Sequence, residues 1–166
     1  MRSPRRRARE FALQGLYQWQ VAGRGPKAIA RDLSELEGHA DADRAFLARA
    51  LEGVIADADE LRPLIEPHAD RPWAEVSPVE RSILLLAAWE LRHLADVPYR
   101  VTINEAIELA KRFGGTDGHK YVNGILDRVA LALRPDEVAA GRTAERKPRQ
   151  AAKPRARPAA PKKAEA

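Results

Sequence analysis

A chain of 166 residues with no cysteine and a net charge of +5 can hold neither a disulfide framework nor a cysteine-based zinc site. No apolar run approaches the roughly 18 residues of a membrane span, and the opening MRSPRRRARE lacks the apolar core of a secretory signal, so the expectation is a soluble, cytoplasmic protein. Ala, Leu, Glu and Arg are abundant and alternating β-branched segments are scarce, which points to one all-α domain.

In chain order, Ser3 and Pro4 suit the N-cap and first turn of a helix that runs to about Ala22 and is ended by Gly23 and Gly25. Pro26 opens a shorter helix through Leu36, closed by Gly38. A third starts near Asp41 or Asp43, with Phe46, Leu47, Leu51, Val54, Ile55, Ala58 and Leu61 as its apolar stripe, and Pro63 and Pro67 are expected to interrupt it. Ser77, Pro78 and Glu80 form a capping box, and the helix behind them carries Ile83, Leu84, Leu86, Ala87, Trp89, Leu91 and Leu94 until Pro98 stops it. Thr102 and Glu105 read as a further capping box, with Ile103, Ala106, Ile107 and Ala110 on one face and Gly114 as the stop. After a reversal through Gly115–Gly118, Val122, Ile125, Leu126 and Val129 begin the last stripe. The total is a compact bundle of six or seven helices. From Ala139 onward the chain has no Leu, Ile, Val or aromatic residue and is broken by four prolines, so residues 1–138 are expected to fold and 139–166 to form a disordered, basic Ala/Pro/Lys/Arg-rich tail.

Charge is distributed unevenly. Residues 1–9 hold five arginines, the segment from 139 holds nine Lys or Arg against two Glu, and the body between them is net acidic. Long-range attraction to nucleic acid must therefore come from the ends. On the first helix, Ala8, Phe11, Ala12, Gly15, Leu16 and Trp19 fall on one side. Arg6, Glu10, Leu13 and Tyr17 fall on the other, which places Tyr17 on a face continuous with Arg5, Arg6, Arg7 and Arg9. Guanidinium groups beside an aromatic suit single-stranded RNA, although a solvated arginine run with Tyr17 covering a neighbour, or meeting a protein partner, fits the same pattern.

A second basic and aromatic pair, Lys120 with Tyr121, stands where the last apolar stripe begins. The free amides and dipole of a helix start would help Lys120 hold a phosphate, and Tyr121 could offer a ring to a base. A plain helical hairpin with a solvated Lys and a half-buried Tyr is the alternative. Joint action of the two patches on one strand requires that they lie near each other. Catalysis is not expected: His39, His68, His93 and His119 have no metal-ligand spacing, and Gly23 with Gly25 forms no phosphate loop, so no cofactor is implied.

The segments RRRAREFALQGLYQWQ, SPVERSILLLAAWEL and above all DVPYRVTINEAIELAKRFGGTDGHKYVNGILD resemble the NusB family of bacterial transcription antitermination factors, over roughly residues 4–135. The resemblance implies an all-α fold of two packed helical subdomains, no catalysis, and binding of the single-stranded boxA element of ribosomal RNA leaders. The implied partners are NusE, which is the small-subunit ribosomal protein S ten, and an RNA polymerase antitermination complex with other Nus factors. It also implies roles for residues: Arg5, Arg6, Arg7, Arg9, Lys120 and Tyr121 toward RNA, Asp117 toward RNA or complex affinity, and Tyr17 and Glu80 toward the NusE surface or its edge. A related domain occurs fused to ribosomal RNA cytosine methyltransferases, but no methyl-donor domain follows here. A protein-interaction scaffold, or a DNA-compacting protein driven by its tail, is the rival reading, and monomer and homodimer both stay open.

Overall fold

The computed structural model describes residues 2–146, and among them the chain forms seven α-helices and no strand: α1 (Pro4–Ala22), α2 (Pro26–Ser34), α3 (Arg44–Ile65), α4 (Pro78–His93), α5 (Tyr99–Phe113), α6 (Gly118–Leu133) and α7 (Pro135–Arg146). Their starts follow local chemistry. Ser3 accepts the Arg6 amide ahead of α1, Asp43 accepts the Phe46 amide ahead of α3, and Ser77 accepts the Glu80 amide ahead of α4 with Pro78 in the first turn. Gly23 closes α1 in the left-handed region at φ 65°, releasing its amide to the Trp19 carbonyl.

Helix α4 is the axis of the molecule. From Ser82 to Leu91 every residue is buried, because α1 and α3 cover one side while α5 and α6 cover the other. This divides the fold into an amino-terminal group, α1–α3, and a carboxy-terminal group, α4–α7, joined through one continuous core. Gly15 lets α1 approach closely: a Cβ there would sit 2.9 Å from Ile29 Cγ2 and 2.9 Å from Leu51 Cδ1. No described helix is long and apolar enough to cross a membrane.

Four expectations need correction. Thr102 does not cap a helix: α5 starts three residues earlier at Tyr99, whose amide donates to Glu137 Oε1 on α7 at 2.8 Å, so the cap comes from a distant carboxylate. Thr102 is instead fully buried, and Glu105 is free to pair elsewhere. Pro63 does not interrupt α3, which continues to Ile65, since in the last turn a proline removes a single backbone bond and its ring is exposed. The second helix ends at Ser34, two residues short of Leu36. Finally, the fold extends past residue 138. Residues 139–146 complete α7, whose Asp136 and Glu137 favour the helix start, while Glu145 near its end pairs with Arg100. The disorder expected for 147–166 falls outside the described residues.

Arg134, between α6 and α7, ties the carboxy-terminal group together. Its guanidinium donates to the carbonyls of Glu90, Leu91, Leu94 and Val97 at 2.6–3.2 Å, binding the end of α4 and the turn that follows it.

Candidate nucleic-acid interface

Helices α1 and α5 both rest on α4 without touching closely, and long side chains bridge the seam between them. Arg6 holds Glu105 in a two-point fork, with Nε to Oε2 at 3.1 Å and Nη2 to Oε1 at 2.9 Å. One turn further along α1, Glu10 accepts from Arg2 at 2.6 Å and from Arg112 at 2.7 Å. Beyond that the seam turns apolar. Leu13, Tyr17, Val79 and Phe113 line a groove of about 470 Å³ at the far end of α1. The α5–α6 turn follows directly after Phe113 and carries Asp117, with Lys120 in the first turn of α6 behind it.

The arginines expected to act as a group have different surroundings. Arg5 donates to Asp43 at 3.0 Å and lies 4.3 Å over the Phe46 ring. The Asp43 carboxyl is held below its ordinary range by the Phe46 amide and by Arg5. Arg6 is more firmly protonated for its bonds to Glu105. Arg7 lies against the Gly38 turn and has no carboxylate partner among the described residues. Arg9 departs from expectation. It is 4% exposed, and its Nε and Nη2 make three bonds of 2.7–3.1 Å to the Glu90 carboxylate inside the core. Burial pushes the Glu90 carboxyl upward while Arg9 pulls it down. A side chain so enclosed cannot meet a phosphate, so Arg9 positions α1 on α4 instead. Leu13 is likewise buried at 3% exposure, although its side of α1 was assigned to solvent, because it lies in the groove shared with Val79 of α4 and Phe113 of α5.

At the other end, Asp117 adopts the left-handed conformation at φ 64°, unique among the described non-glycine residues, and its carboxylate lies 3.3 Å from Lys120 Nζ. The amides at the start of α6 are not all free. Gly118 donates to Gly115, and Lys120 and Tyr121 both donate to Asp117. The Glu80 carboxylate also lies over this helix start, so close that a Cβ on Gly118 would be 2.7 Å from its Oε1. Anion binding here thus rests on the Lys120 ammonium more than on the backbone. Tyr121 is half-buried, with its hydroxyl enclosed and unpartnered, and burial raises its pKa. The Arg71 guanidinium covers the ring at 4.6 Å.

The fold brings Tyr17 and Glu80 to neighbouring positions, since Val79 lines the Tyr17 groove and Glu80 follows it. The basic start of α1 and the Lys120 turn lie at two ends of one seam. The eleven steps from Arg6 to Tyr17 span about 16 Å of helix, at 1.5 Å per residue. Sequence reasoning missed Phe113, Arg112 and Arg71. Phe113 and Arg112 follow the buried Leu109 and Ala110 and read as ordinary helix-end residues, while Arg71 sits in a short loop with no periodicity.

Chemically, the surface is an all-α, ion-paired seam with exposed cations and aromatics, suited to contact rather than bond-making. A family model for the NusB family matches residues 6–131. The transcription antitermination protein NusB of Dechloromonas aromatica is 57% identical over 145 residues, which are 87% of this chain and 89% of that protein. A Thermotoga maritima NusB crystal structure aligns with TM-score 0.72 at 32% identity, over 84% of this chain and 99% of that one. At 22% identity and TM-score 0.67, the fold is also shared with a chain from a crystal structure of the antitermination factors NusB and NusE in complex with double-stranded RNA, over 76% of this chain and 96% of that one. This chain belongs to the NusB family, and it is a transcription antitermination factor, not an enzyme.

Proposed function

We propose that the chain binds the single-stranded boxA element of ribosomal RNA leaders together with NusE, in the cytoplasm, as part of an RNA polymerase complex containing other Nus factors, and so promotes processive ribosomal RNA transcription. The observation that carries this reading is the α1–α5 seam, which links the cations at the start of α1 to the Tyr17 groove and the Lys120 turn. Arg7, with no carboxylate to release, is the first phosphate contact. Arg5 and Arg6 exchange Asp43 and Glu105 for phosphate, and Lys120 exchanges Asp117. Arg71 must swing off Tyr121 before that ring can stack a base. Tyr17, Glu80, Val79 and Phe113 form the NusE side of the surface, or its border with RNA. NusE as partner is supported by the fold neighbour that was solved with it. The net acidic body steers a basic ribosomal protein toward this face. Residues 147–166, with seven Lys or Arg against one Glu, add attraction that does not depend on sequence.

A titration tests this. BoxA RNA should bind more tightly than scrambled RNA or duplex DNA, and NusE should tighten it further. Equal affinity for all three nucleic acids, lost on removing the segment after Arg146, would establish the tail-driven alternative.

A further inference from the structure

Two residues beyond Tyr17, and about 200° around α1, Trp19 faces a different cleft, enclosed by α1, α3, α4 and the short turn Trp73–Glu75. The seam does not use it. The cleft encloses about 300 Å³, the lower end of the range for ligand pockets. Trp19 and Trp73 are its half-buried aromatic walls, Arg81 and Arg62 its cations, the latter already paired with Glu66, and Asp59 and Gln20 its acceptors.

Three features separate this cleft from ordinary packing. The two indoles pack partly against the core, but among the described residues they do not stack on each other and neither carries a cation on its face, so no aromatic or cationic group already occupies the rings. Arg81 has no carboxylate partner among the described residues, and its Nε is buried with no hydrogen-bond acceptor. An enclosed, unsatisfied guanidinium N–H is costly unless something outside the chain completes it. Gln20 is pinned, its Nε2 donating to Ser82 Oγ at 2.6 Å and to the Pro78 carbonyl at 3.3 Å, which leaves its carbonyl oxygen as an acceptor. Asp59 accepts only.

An aromatic wall, a free cation and two acceptors, one of them held in place, call for a ligand with a planar ring, an anion and amino donors. A nucleotide whose base carries an amino group has all three. We propose that this cleft is a second RNA contact: a base lies against the indoles, its phosphate meets Arg81, with Arg62 at the rim, and its exocyclic amino group donates to Asp59 or Gln20. The acceptors favour a base with an exocyclic amino group, such as cytosine or adenine, over uracil, whose base offers only its N3–H as a donor. The proposal takes RNA as ligand class from the function above but needs none of the seam residues.

Trp19 and Trp73 are two of the three tryptophans, and the third, Trp89, is 3% exposed and out of a ligand's reach, so a ligand-dependent change in indole emission of the full chain reports on the cleft. Cytidylate hexamer should quench that emission saturably, and uridylate hexamer should bind at least several-fold more weakly. Arg81→Gln should weaken the quenching interaction about ten-fold and lower its salt slope by about 0.7. Trp73→Ala should cost roughly 5- to 100-fold, with Trp73→Phe recovering most of it. No quenching, equal responses to the two hexamers, or an Arg81→Gln variant matching the parent would overturn the proposal. The double variant Arg7→Ala with Lys120→Ala separates the two sites. If it abolishes boxA binding but leaves cytidylate quenching intact, both readings stand. If it abolishes the quenching while Arg81→Gln does not, RNA binds the seam alone and the cleft proposal fails. If neither boxA RNA nor the hexamers bind the parent chain, the RNA-binding function fails with it.

Discussion

Replacing Arg9 by alanine separates a structural arginine from a contacting one. The Arg9 and Glu90 side chains are 5% and 2% exposed, and the Glu90 carboxylate receives its side-chain bonds from Arg9 alone. Alanine would leave that carboxylate in the core without a cation, and breaking such a pair costs about 3–5 kcal/mol. Loss of the guanidinium lying 5.3 Å over the Phe46 ring acts in the same direction. For a domain of this size each 1 kcal/mol shifts Tm by roughly 2–4 °C, so a fall on the order of 6–20 °C should appear in thermal unfolding followed by far-ultraviolet circular dichroism. The double variant Arg9→Met with Glu90→Leu removes both charges and should recover most of the loss, because no unpaired carboxylate remains. An Arg9→Ala protein that melts within 2 °C of the parent yet no longer binds boxA RNA would refute the burial argument and return Arg9 to the RNA surface.

Asp117→Asn should tighten RNA binding several-fold with little change in Tm, since asparagine tolerates φ 64° and Lys120 loses its competing carboxylate; a gel-shift titration checks it, and weaker binding would count against Lys120 as a phosphate contact. Lys120→Ala should reduce the magnitude of the log–log salt slope for boxA RNA by about 0.7, read from titrations at several salt concentrations. Gly53→Ala should destabilise by about 1–3 kcal/mol, because the added Cβ runs into the buried, rigid Trp89 indole; urea unfolding gives the loss, and near-ultraviolet dichroism should show Trp89 displaced. Asp43 has a lowered pKa, so its stabilising effect is complete above the unfolded value near 4 and is lost as pH falls through the folded one. Asp43→Asn, which keeps a capping oxygen, should therefore narrow the gap to the parent as the pH of a urea titration drops from about 5 toward 2, and a constant gap would remove Asp43 from the acid response.

The helices were legible wherever a cap and its apolar stripe lie close in sequence. Ser3 with Pro4, Asp43, and Ser77 with Pro78 all mark true starts, because the group that satisfies each orphan amide is a neighbour in the chain. The start of α5 was not legible, since its amide is met by Glu137, 38 residues away, and the Thr102–Glu105 pattern imitates a cap inside the helix. Arg9 escaped for a related reason. On a helical projection it belongs to a basic run, and only packing against α4 shows that Glu90, which reads as one polar residue in an apolar stripe, is its counter-charge. Periodicity carries apolar faces well, but a charge inside a core is recognised only through its partner.

The same pairing governs what the seam can do. Arg2, Arg5, Arg6 and Arg112 already hold Glu10, Asp43 or Glu105 in the free protein. A phosphate arriving there displaces a carboxylate rather than meeting a bare cation, so each such contact gains the difference between two ion pairs, not the whole of one. Exposed pairs are individually worth about 1 kcal/mol or less, so this exchange is nearly neutral and cannot supply tight binding on its own. What it supplies is restraint: a seam of exchangeable pairs resists indiscriminate capture of polyanions. Net affinity must then come from the few groups without such a partner, Arg7 among them, and from base stacking on rings such as Tyr121 once Arg71 has moved. That arrangement suits a factor that needs a second protein on the same RNA, because a partner docked beside Tyr17 and Phe113 adds the free energy the seam withholds.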